Sequence, residues 1–581
     1  MKNILIAIGL CFSISFSFSQ DIFPKTVYEA SDFKKSHNYE QTIEYSKKLA
    51  EASEFIEYKV FGKSSLGYDL PLLILDKDKD FNPELSKKKG KAIVLIEASI
   101  HPGEPDGKDA GFLLLRDMIL EKNDITIPDN IVVLFIPVLN PDGDKRWSAF
   151  NRINQNGPVE MGFRTNGQNL NLNRDFLKAD SPEMKHWLKL FTNWLPDFFI
   201  DCHTTDGADY QYSLTYGLEI YGNMETELTK WQKEKYLPFV EKKMKEAGHL
   251  IFPYVMFTRW HDPRSGLRSW VGSPALSEGY TAVQNRIGLL IETHMLKDYK
   301  TRVEATYFMI SNTLNYLEEN QKEIIELNKN ADAKCIDETY RKQPFPIAYK
   351  TGETPNKVEF LGKSYSTDSS ELTGGNWFRY SNKNETFLLD FYGTQIPEKF
   401  VEIPEYYVIP PSYSHITEIL KLHGVKVDYT KEEKQVETGV YRFSNVELDI
   451  NSFEGRQRVT KFEMEKSVEK QVIPAGSALI STKQRTLMLI LHALEPEAPS
   501  SFFSWGFFNS IFEQKEYAET YVMEKMAREM IEKDPELKRE FEEKRKNEPE
   551  FVANQWAQTN WFYERTVYKD LNKGLYPIFF L

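Results

Sequence analysis

Residues that could bind a metal ion or move a proton stand where several apolar runs of this chain end. His101 and Glu104 follow one run, His203 ends a second, and Glu292 and His294 end a third. Imidazole nitrogen and carboxylate oxygen are ligands that catalytic zinc takes, with a fourth position left for water. A further carboxylate beside that water could act as a general base. These residue types indicate hydrolysis by a metal-activated water.

The runs themselves are the elements that must position these residues. They are short, continuous and rich in Val, Ile, Leu and Phe, which is typical of strands buried on both faces of a largely parallel sheet. Ligands bind beyond the carboxyl ends of such strands, where these polar residues stand. The four runs are Ala92–Ile100, Ile131–Leu139, Trp194–Ile200 and Ile287–Ile291.

Strands alternate with helical segments up to about residue 330, so the fold class predicted is α/β. We expect a mixed, largely parallel sheet flanked by helices. Beyond it, short β-rich runs and then an aromatic and charged helical stretch predict a β-rich accessory region and a helical tail. The predicted domains are a catalytic domain over 20–335, a β-rich domain over 336–480 and a C-terminal region over 481–581.

The first nineteen residues resemble a secretory signal peptide. Lys2 precedes a short apolar stretch, Ile4–Phe18, and small residues precede a plausible cleavage site after Ser19. The stretch is shorter than the ~20 residues of a spanning helix, so no membrane anchor is expected after cleavage. The pattern predicts a secreted or periplasmic protein. The net charge of -13 argues against a nucleic-acid partner.

The spacing of the candidate metal ligands is a weak signal by itself, and a third candidate on another strand strengthens it. His101 and Glu104 are three residues apart in a turn, which brings their side chains to one side. His203 supplies a third ligand from another strand, and Asp201 or Asp206 could orient its ring. His294 competes with His203 as a ligand.

Five motifs occur in an order that resembles the zinc carboxypeptidase (carboxypeptidase A-like) family. They are HPGE at 101–104, NPDG at 140–143, NRD at 173–175, the strand-end histidine at 203 and LLIETH at 289–294. The resemblance implies the fold of that family and one Zn2+ per chain, held by His101, Glu104 and His203. It also implies that Glu292 is the general base.

The resemblance extends to residues that bind substrate. Arg164 resembles the arginine that stabilises the oxyanion, although Arg152 is a rival for that role. Asn173 and Arg174 match the pair that binds the terminal carboxylate of the substrate, for which a guanidinium group is suited.

The chain departs from the family pattern at two places. Asn171 stands where an aspartate commonly supports a ligand histidine. Trp270 stands near the usual position of a mobile tyrosine that covers the substrate, and Tyr280 is the nearest tyrosine. Tyr280 is therefore the candidate for that role, and a core tyrosine is the alternative.

The function predicted is a secreted zinc metallocarboxypeptidase that hydrolyses C-terminal peptide bonds of a peptide or peptide-like substrate. One alternative is a zinc amidase or deacylase acting on peptidoglycan stem peptides or acylated amino acids. Another is a non-catalytic binding protein that retains the fold. The motifs predict no side-chain preference and no oligomeric state.

Overall fold

A computed structural model describes residues 23, 25–122 and 125–581 of the chain. The predicted signal peptide over 1–19 lies outside the described residues. The chain forms two compact units. The first comprises residues up to Ile403 together with Ile419–Val425 and Lys483–Ala493, and the second comprises Pro404–Glu418, Lys426–Thr482 and Leu494–Leu581.

The strands of the first unit alternate with helices up to about residue 330. They are β1 (Ile56–Lys63), β2 (Asp69–Leu75), β3 (Ala92–Ala98), β4 (Ile131–Ile136), β5 (Phe198–Thr205), β6 (Leu214–Leu218), β7 (Ile251–Pro253), β8 (Met256–Arg259), β9 (Asp262–Arg268), β10 (Ile287–His294), β11 (Phe345–Thr351), β12 (Asn356–Ser369), β13 (Asn376–Tyr392) and β14 (Gln395–Val401). The strands of the second unit are β15 (Tyr406–Ile409), β16 (Asp428–Tyr429), β17 (Lys434–Leu448), β18 (Val459–Ile473), β19 (Ala478–Ser481) and β20 (Phe579–Phe580).

The helices begin and end at the following residues. They are α1 (Val27–Ala30), α2 (Tyr39–Ala52), α3 (Pro83–Lys88), α4 (Asp106–Ile119), α5 (Pro141–Asp144), α6 (Pro182–Trp194), α7 (Thr226–Trp231), α8 (Leu237–Glu246), α9 (Ser277–Val283), α10 (Tyr299–Glu319), α11 (Gln321–Lys334), α12 (Glu338–Arg341), α13 (Ser414–Leu422), α14 (Leu487–Leu494), α15 (Thr520–Lys533), α16 (Pro535–Asn547), α17 (Pro549–Ala553) and α18 (Gln555–Tyr563). In the described part of the chain, no helix combines the length and the apolar character needed to cross a membrane.

An eight-stranded mixed sheet forms the centre of the first unit, in the order β1-β2-β4-β3-β5-β10-β6-β7. Strands β4, β3, β5 and β10 run parallel to one another. Strand β2 is antiparallel to β1 and β4, and β6 is antiparallel to β10 and parallel to β7. Every residue of β3, β4, β5 and β10 is buried, as continuous apolar runs predict for central strands. The predicted α/β class with a mixed, helix-flanked sheet is confirmed.

The two faces of this sheet have different chemistry. On one face, Ile96 and Cys202 belong to the large apolar core that includes residues of α4 and α10. Alternate residues of a strand point to opposite faces, so Asp201 and His203 lie on the other face. The polar residues of β5 therefore face away from the main core.

The first unit extends beyond the catalytic domain predicted to end at residue 335. Strand β13 pairs in parallel with β9, and β12 pairs with β13 in the same four-stranded sheet as β8. An apolar cluster that includes Leu267 and Phe360 fixes this pairing. Residues 345–401 thus join the first unit because their strands and core contacts lie there.

Candidate metal centre

Three donor atoms converge where β3 and β5 end. The turn after β3 carries His101 and Glu104, closed by a hydrogen bond of 2.8 Å from the Glu104 N–H to the His101 carbonyl. His203 projects from β5 beside them. The His101 Nδ1 and His203 Nδ1 atoms lie 3.3 and 3.1 Å from Glu104 Oε2, and 3.2 Å from each other.

These separations fit a tetrahedral metal ion. Zinc binds His nitrogen and carboxylate oxygen at ~2.0–2.1 Å, which places neighbouring ligand atoms roughly 3.3 Å apart. His101, Glu104 and His203 are all buried, and among the described residues they are the cluster of ligating side chains close enough to hold a metal ion. The donor set and its spacing both suit zinc.

Hydrogen bonds on the outer side of each ring orient the two histidines. His101 Nε2 lies 2.8 Å from Asn171 Oδ1, and His203 Nε2 lies 2.7 Å from Asp201 Oδ2. Asn171 Oδ1 and Asp201 Oδ2 are acceptor oxygens, which favours a proton on both Nε2 atoms and leaves the two Nδ1 atoms, beside Glu104, as the positions for a metal ion. Asp201, rather than Asp206, is therefore the residue that orients His203.

The protonation of the two rings differs. Burial lowers the pKa of His101 to about 4, which keeps its ring neutral and ready to bind a metal. Burial also disfavours a charged His203, but the adjacent Asp201 outweighs it and raises the pKa of His203 well above its ordinary value. Metal binding at His203 therefore requires release of a proton.

Glu292 stands next to His203 in the sheet. The two residues are register partners on the parallel strands β10 and β5, and the Glu292 side chain lines the same cleft with 8% of the residue exposed. Burial raises the pKa of Glu292 to about 8, and the negative charge of Glu104 adds to the shift. A carboxylate with a raised pKa beside a metal site is suited to accept and return a proton.

Two arginines reach Glu104 from the loop between β4 and β5. Arg152 Nη1 donates to Glu104 Oε1 at 2.7 Å, and its side chain is 16% exposed. Arg164 Nη2 lies 3.5 Å from the same oxygen, and its side chain is 43% exposed. Both arginines therefore contact a ligand, since Arg164 Nη1 also lies 2.7 Å from His101 Nε2, and Arg164 is the more exposed of the two.

Asn173 and Arg174 lie on a short 3-10 turn, Leu172–Arg174, and both line the cleft. Asn173 is buried, with its Nδ2 atom 3.4 Å from His203 Nε2, and its Oδ1 atom has no hydrogen-bond partner among the described residues. Asp175, the next residue, is held instead by Lys178 and Ser181. The pair therefore presents an amide and a guanidinium group to the same space as the metal ligands.

A cleft of about 320 Å³ joins these groups. It brings together every predicted site residue except Tyr280, namely His101, Glu104, Arg164, Asn173, Arg174, His203 and Glu292. His294 does not compete as a ligand, because its Nε2 donates to the Ala208 carbonyl at 2.7 Å and its Nδ1 accepts from the Leu296 N–H.

Tyr280 lies outside the cleft, which corrects the prediction that it contacts substrate. It is fully buried on α9, and its ring packs against Phe176, Trp187 and Phe191. Its hydroxyl group is 3.0 Å from His423 Nδ1. The short helix α9 directs the Tyr280 side chain toward a cluster of buried aromatic residues. Tyr280 is therefore a core tyrosine, which was the alternative prediction.

The cleft contains two aromatic residues instead. Trp270 lines it, and Tyr254, just after β7, packs edge-on against the Trp270 ring at 5.5 Å between ring centroids. The Tyr254 hydroxyl accepts a hydrogen bond from Thr205 at 3.4 Å. Tyr254 belongs to no motif and stands far from Glu292 in sequence, so no sequence signal pointed to it.

Comparisons with known proteins agree with this arrangement. Residues 42–228 match the family model for zinc carboxypeptidases, a range that contains His101, Glu104 and His203 but ends before Glu292. Carboxypeptidase 2 of Trichophyton tonsurans is 24% identical over 503 residues, which cover 82% of this chain and 85% of that protein. The probable carboxypeptidase 2 of Arthroderma benhamiae is 22% identical over 494 residues, covering 80% and 85%.

The solved structures that superpose in part on this chain include a metallo-carboxypeptidase from Burkholderia cenocepacia. It is 16% identical with a TM-score of 0.36, and the superposition covers 49% of this chain and 70% of that chain. A carboxypeptidase A from Helicoverpa armigera is 16% identical with a TM-score of 0.36, covering 51% and 74%.

Proposed function

Because this chain belongs to the zinc carboxypeptidase family, we propose that it removes C-terminal residues from peptides with Glu292 as the general base. It is a zinc-dependent metallopeptidase with one Zn2+. The observation that carries the proposal is the single cleft shared by the three ligands, Glu292 and Arg174.

His101, Glu104 and His203 would hold the metal. When bound, zinc supplies an activated water and polarises the carbonyl group of the scissile bond. The hydrogen bonds from His101 to Asn171 and from His203 to Asp201 keep both rings in the orientation that the metal requires.

Glu292 moves the proton. Its carboxylate accepts a proton from the attacking water and transfers it to the nitrogen of the leaving amine, so that the carboxylate is regenerated in each cycle. The position of Glu292 beside His203 and its burial support this role. Negative charge develops on the carbonyl oxygen as water attacks, and Arg164, the more exposed of the two arginines beside Glu104, would stabilise it.

Asn173 and Arg174 bind the terminal carboxylate of the substrate. A guanidinium group matches a carboxylate with two parallel hydrogen bonds, and an adjacent amide adds a third donor. Both residues line the cleft near His203. This contact would fix the last peptide bond beside Glu292 and make the reaction depend on a free C-terminus.

We further propose that the chain is secreted or periplasmic after removal of residues 1–19. Support comes from Lys2 followed by the apolar stretch Ile4–Phe18 and small residues before Gln20. N-terminal sequencing of the protein exported by the source cell tests it, and a mature protein that begins at Met1 would contradict it. The β-rich and helical regions beyond the catalytic domain are proposed as accessory regions.

The decisive experiment compares one peptide with a free and with an amidated C-terminus. A carboxypeptidase should lose most of its activity on the amide, about 100-fold or more, because Arg174 loses its partner. Dialysis against a chelator should abolish hydrolysis, and added zinc should restore it. Equal hydrolysis of both peptides would favour an amidase or deacylase, and zinc binding without any hydrolysis would favour a binding protein.

A further inference from the structure

Two threonines directly follow the metal ligand His203 and the proposed base Glu292 in the sequence. Thr204 and Thr293 are register partners on β5 and β10, one residue beyond the pair formed by the ligand and the base. Alternate residues of a strand point to opposite faces, so both threonine side chains lie behind the cleft, on the face of the main core. Their Oγ1 atoms are 3.0 Å apart. A group that holds the two threonines together therefore also sets the separation between the ligand and the base.

Asp106, the first residue of α4, is such a group. Its Oδ2 atom accepts a hydrogen bond from Thr204 Oγ1 and lies 3.0 Å from Thr293 Oγ1. All three residues are buried, and Asp106 is only 1% exposed. Buried polar groups whose hydrogen bonds are satisfied form a rigid network. One carboxylate oxygen thus joins the strand that carries a metal ligand to the strand that carries the base.

The same network reaches a second metal ligand, Glu104. The Thr204 N–H donates a hydrogen bond of 3.0 Å to Glu104 Oε2, the oxygen that faces both ligand histidines. Thr204 therefore binds the segment 104–106 twice, through its backbone to Glu104 and through its hydroxyl group to Asp106. The positions of Glu104 and His203 both depend on this threonine.

Arg302 on α10 fixes the Asp106 carboxylate from the other side. Its Nε atom lies 3.2 Å from Asp106 Oδ1 and 3.3 Å from Oδ2. Its Nη atoms donate to the carbonyl groups of Asn156, Gly157 and Lys297 at 2.8, 2.7 and 2.7 Å. Arg302 is fully buried, so this ion pair holds Asp106 in one place between the helices and the sheet.

Asp109, one turn further along α4, provides an internal contrast. It is as buried as Asp106, and its carboxylate lies 2.8 Å from His37 Nδ1 and accepts a hydrogen bond from the Tyr299 hydroxyl group. Neither partner belongs to β5, to β10 or to the turn after β3. Asp109 therefore links segments that carry no residue of the metal centre.

We propose that Asp106 is a positioning residue that holds β5 and β10 in the arrangement that catalysis requires. It acts through the hydroxyl groups of Thr204 and Thr293, and it contacts neither the substrate nor the reacting atoms. The inference rests on the proposed function, in which Glu292 takes a proton from water at the metal centre. A displacement of about 1 Å in such a site can slow a reaction by about 100-fold, so a network that fixes this spacing affects the rate.

The first test removes one hydroxyl group and leaves the shape of the side chain unchanged. Thr293→Val should lower kcat by about tenfold, with KM and zinc affinity within about twofold of wild type, because only the strand of the base is released. Thr293→Ser, which restores the hydroxyl group, should recover kcat to within about threefold of wild type. Asp109→Asn is the matched control, because it removes a buried carboxylate from the same helix. Its Tm should fall while its kcat stays unchanged.

The second test measures the metal centre without the reaction. Thr204→Val should weaken zinc binding by about tenfold in competition with a chromogenic chelator, because Thr204 positions both His203 and Glu104. Asp106→Asn should show both effects, a lower kcat and weaker zinc binding. The visible absorption of the cobalt-substituted protein depends on the geometry of the ligands, so it should change in Thr204→Val and Asp106→Asn and not in Asp109→Asn.

A lower Tm alone in both valine variants, with kcat and zinc affinity as in Asp109→Asn, would overturn the proposal and assign the network to stability. A Thr293→Ser enzyme that is no more active than Thr293→Val would overturn it as well. The valine variants keep the ion pair between Asp106 and Arg302, so this decision does not depend on whether Asp106→Asn folds with the charge of Arg302 left unpaired.

Failure of the proposed function would give a different result. A protein that cleaves no peptide but binds zinc more weakly in Thr204→Val would support the role of Asp106 and reject the carboxypeptidase function. Hydrolysis that requires a free C-terminus and is unaffected in Thr204→Val and Thr293→Val would support the function and reject the role of Asp106.

Discussion

Each unit of the protein buries a glutamate, and the surroundings of the two differ. Glu495 in the second unit accepts hydrogen bonds from the hydroxyl groups of Tyr407 and Tyr441. Glu292 in the first unit lies beside His203 and lines a cleft, and no described side chain donates a hydrogen bond to its carboxylate. Glu495 is enclosed by protein, whereas Glu292 faces space that a substrate can enter.

Burial alone does not distinguish the two residues. It raises the pKa of Glu292 to about 8 and the pKa of Glu495 to about 7. The difference lies in what each carboxylate contacts. Glu495 accepts hydrogen bonds from two tyrosine hydroxyl groups, whereas Glu292 faces the cleft that also contains the three metal ligands. A perturbed pKa therefore indicates function only where the group also faces a cleft.

The largest effect on activity is expected from substitution of Glu292, the glutamate that faces the cleft. Glu292→Gln should lower kcat by about 10³-fold or more, because the amide cannot accept a proton from water. Zinc content should remain one per chain, since Glu292 is not a ligand. Peptide hydrolysis and metal analysis on the same samples check both points. Glu495→Gln is the control, with unchanged kcat. A Glu292→Gln enzyme that keeps its activity would falsify the assignment of the base.

Arg174→Gln should lower kcat/KM by about 100-fold on peptides with a free C-terminus, mainly through a higher KM. The reason is the loss of two charge-assisted hydrogen bonds to the terminal carboxylate. Arg174→Lys keeps the positive charge but lacks the two parallel donors of a guanidinium group, so its kcat/KM should lie between those of wild type and Arg174→Gln. If the variant loses activity equally on an amidated peptide, Arg174 does not bind the carboxylate.

The residues that orient the two ligand histidines, Asp201 and Asn171, can also be compared by substitution. Asp201→Asn would give His203 a neutral partner like the Asn171 that orients His101, and zinc affinity should fall about 10–100-fold. Asn171→Asp should change affinity in the opposite direction by a few-fold. Competition with a chromogenic chelator measures both. An unchanged affinity in Asp201→Asn would show that the charge of Asp201 does not contribute to binding.

The sequence predicted the central sheet and the polar residues at its edge, since continuous apolar runs and strand-end ligands follow directly from burial. It did not predict the position of Tyr280. Which side of the short helix α9 faces the cleft depends on how that helix packs, and this placed Glu278 in the cleft and Tyr280 in the core. No spacing rule within α9 distinguishes the two residues.

Pairing between strands that are distant in sequence explains why the first unit extends beyond the predicted domain end at residue 335. Strand β13 joins β9 across more than a hundred residues of sequence, so residues 345–401 belong to the first unit. Tyr254 and Trp270 reach the cleft from the segment between β7 and α9, where neither residue belongs to a motif. Such contacts form only when distant segments pack together, so local sequence patterns do not predict them.

The smallest expected effect concerns Glu495. Its folded-state pKa of about 7 lies above the ordinary 4.5, so its contribution to stability is fully present below pH ~4.5 and is lost as pH rises through about 7. The upper limit of this loss is about 3 kcal/mol. The glutamine in Glu495→Gln stays neutral at every pH, so the variant lacks this pH-dependent contribution to the free energy of unfolding. The difference in Tm between wild type and variant should therefore shift by several degrees between pH 5 and pH 8, in favour of the variant at pH 8. A difference that is independent of pH would mean that Glu495 is ionised throughout, and the two glutamates would then differ in charge as well as in surroundings.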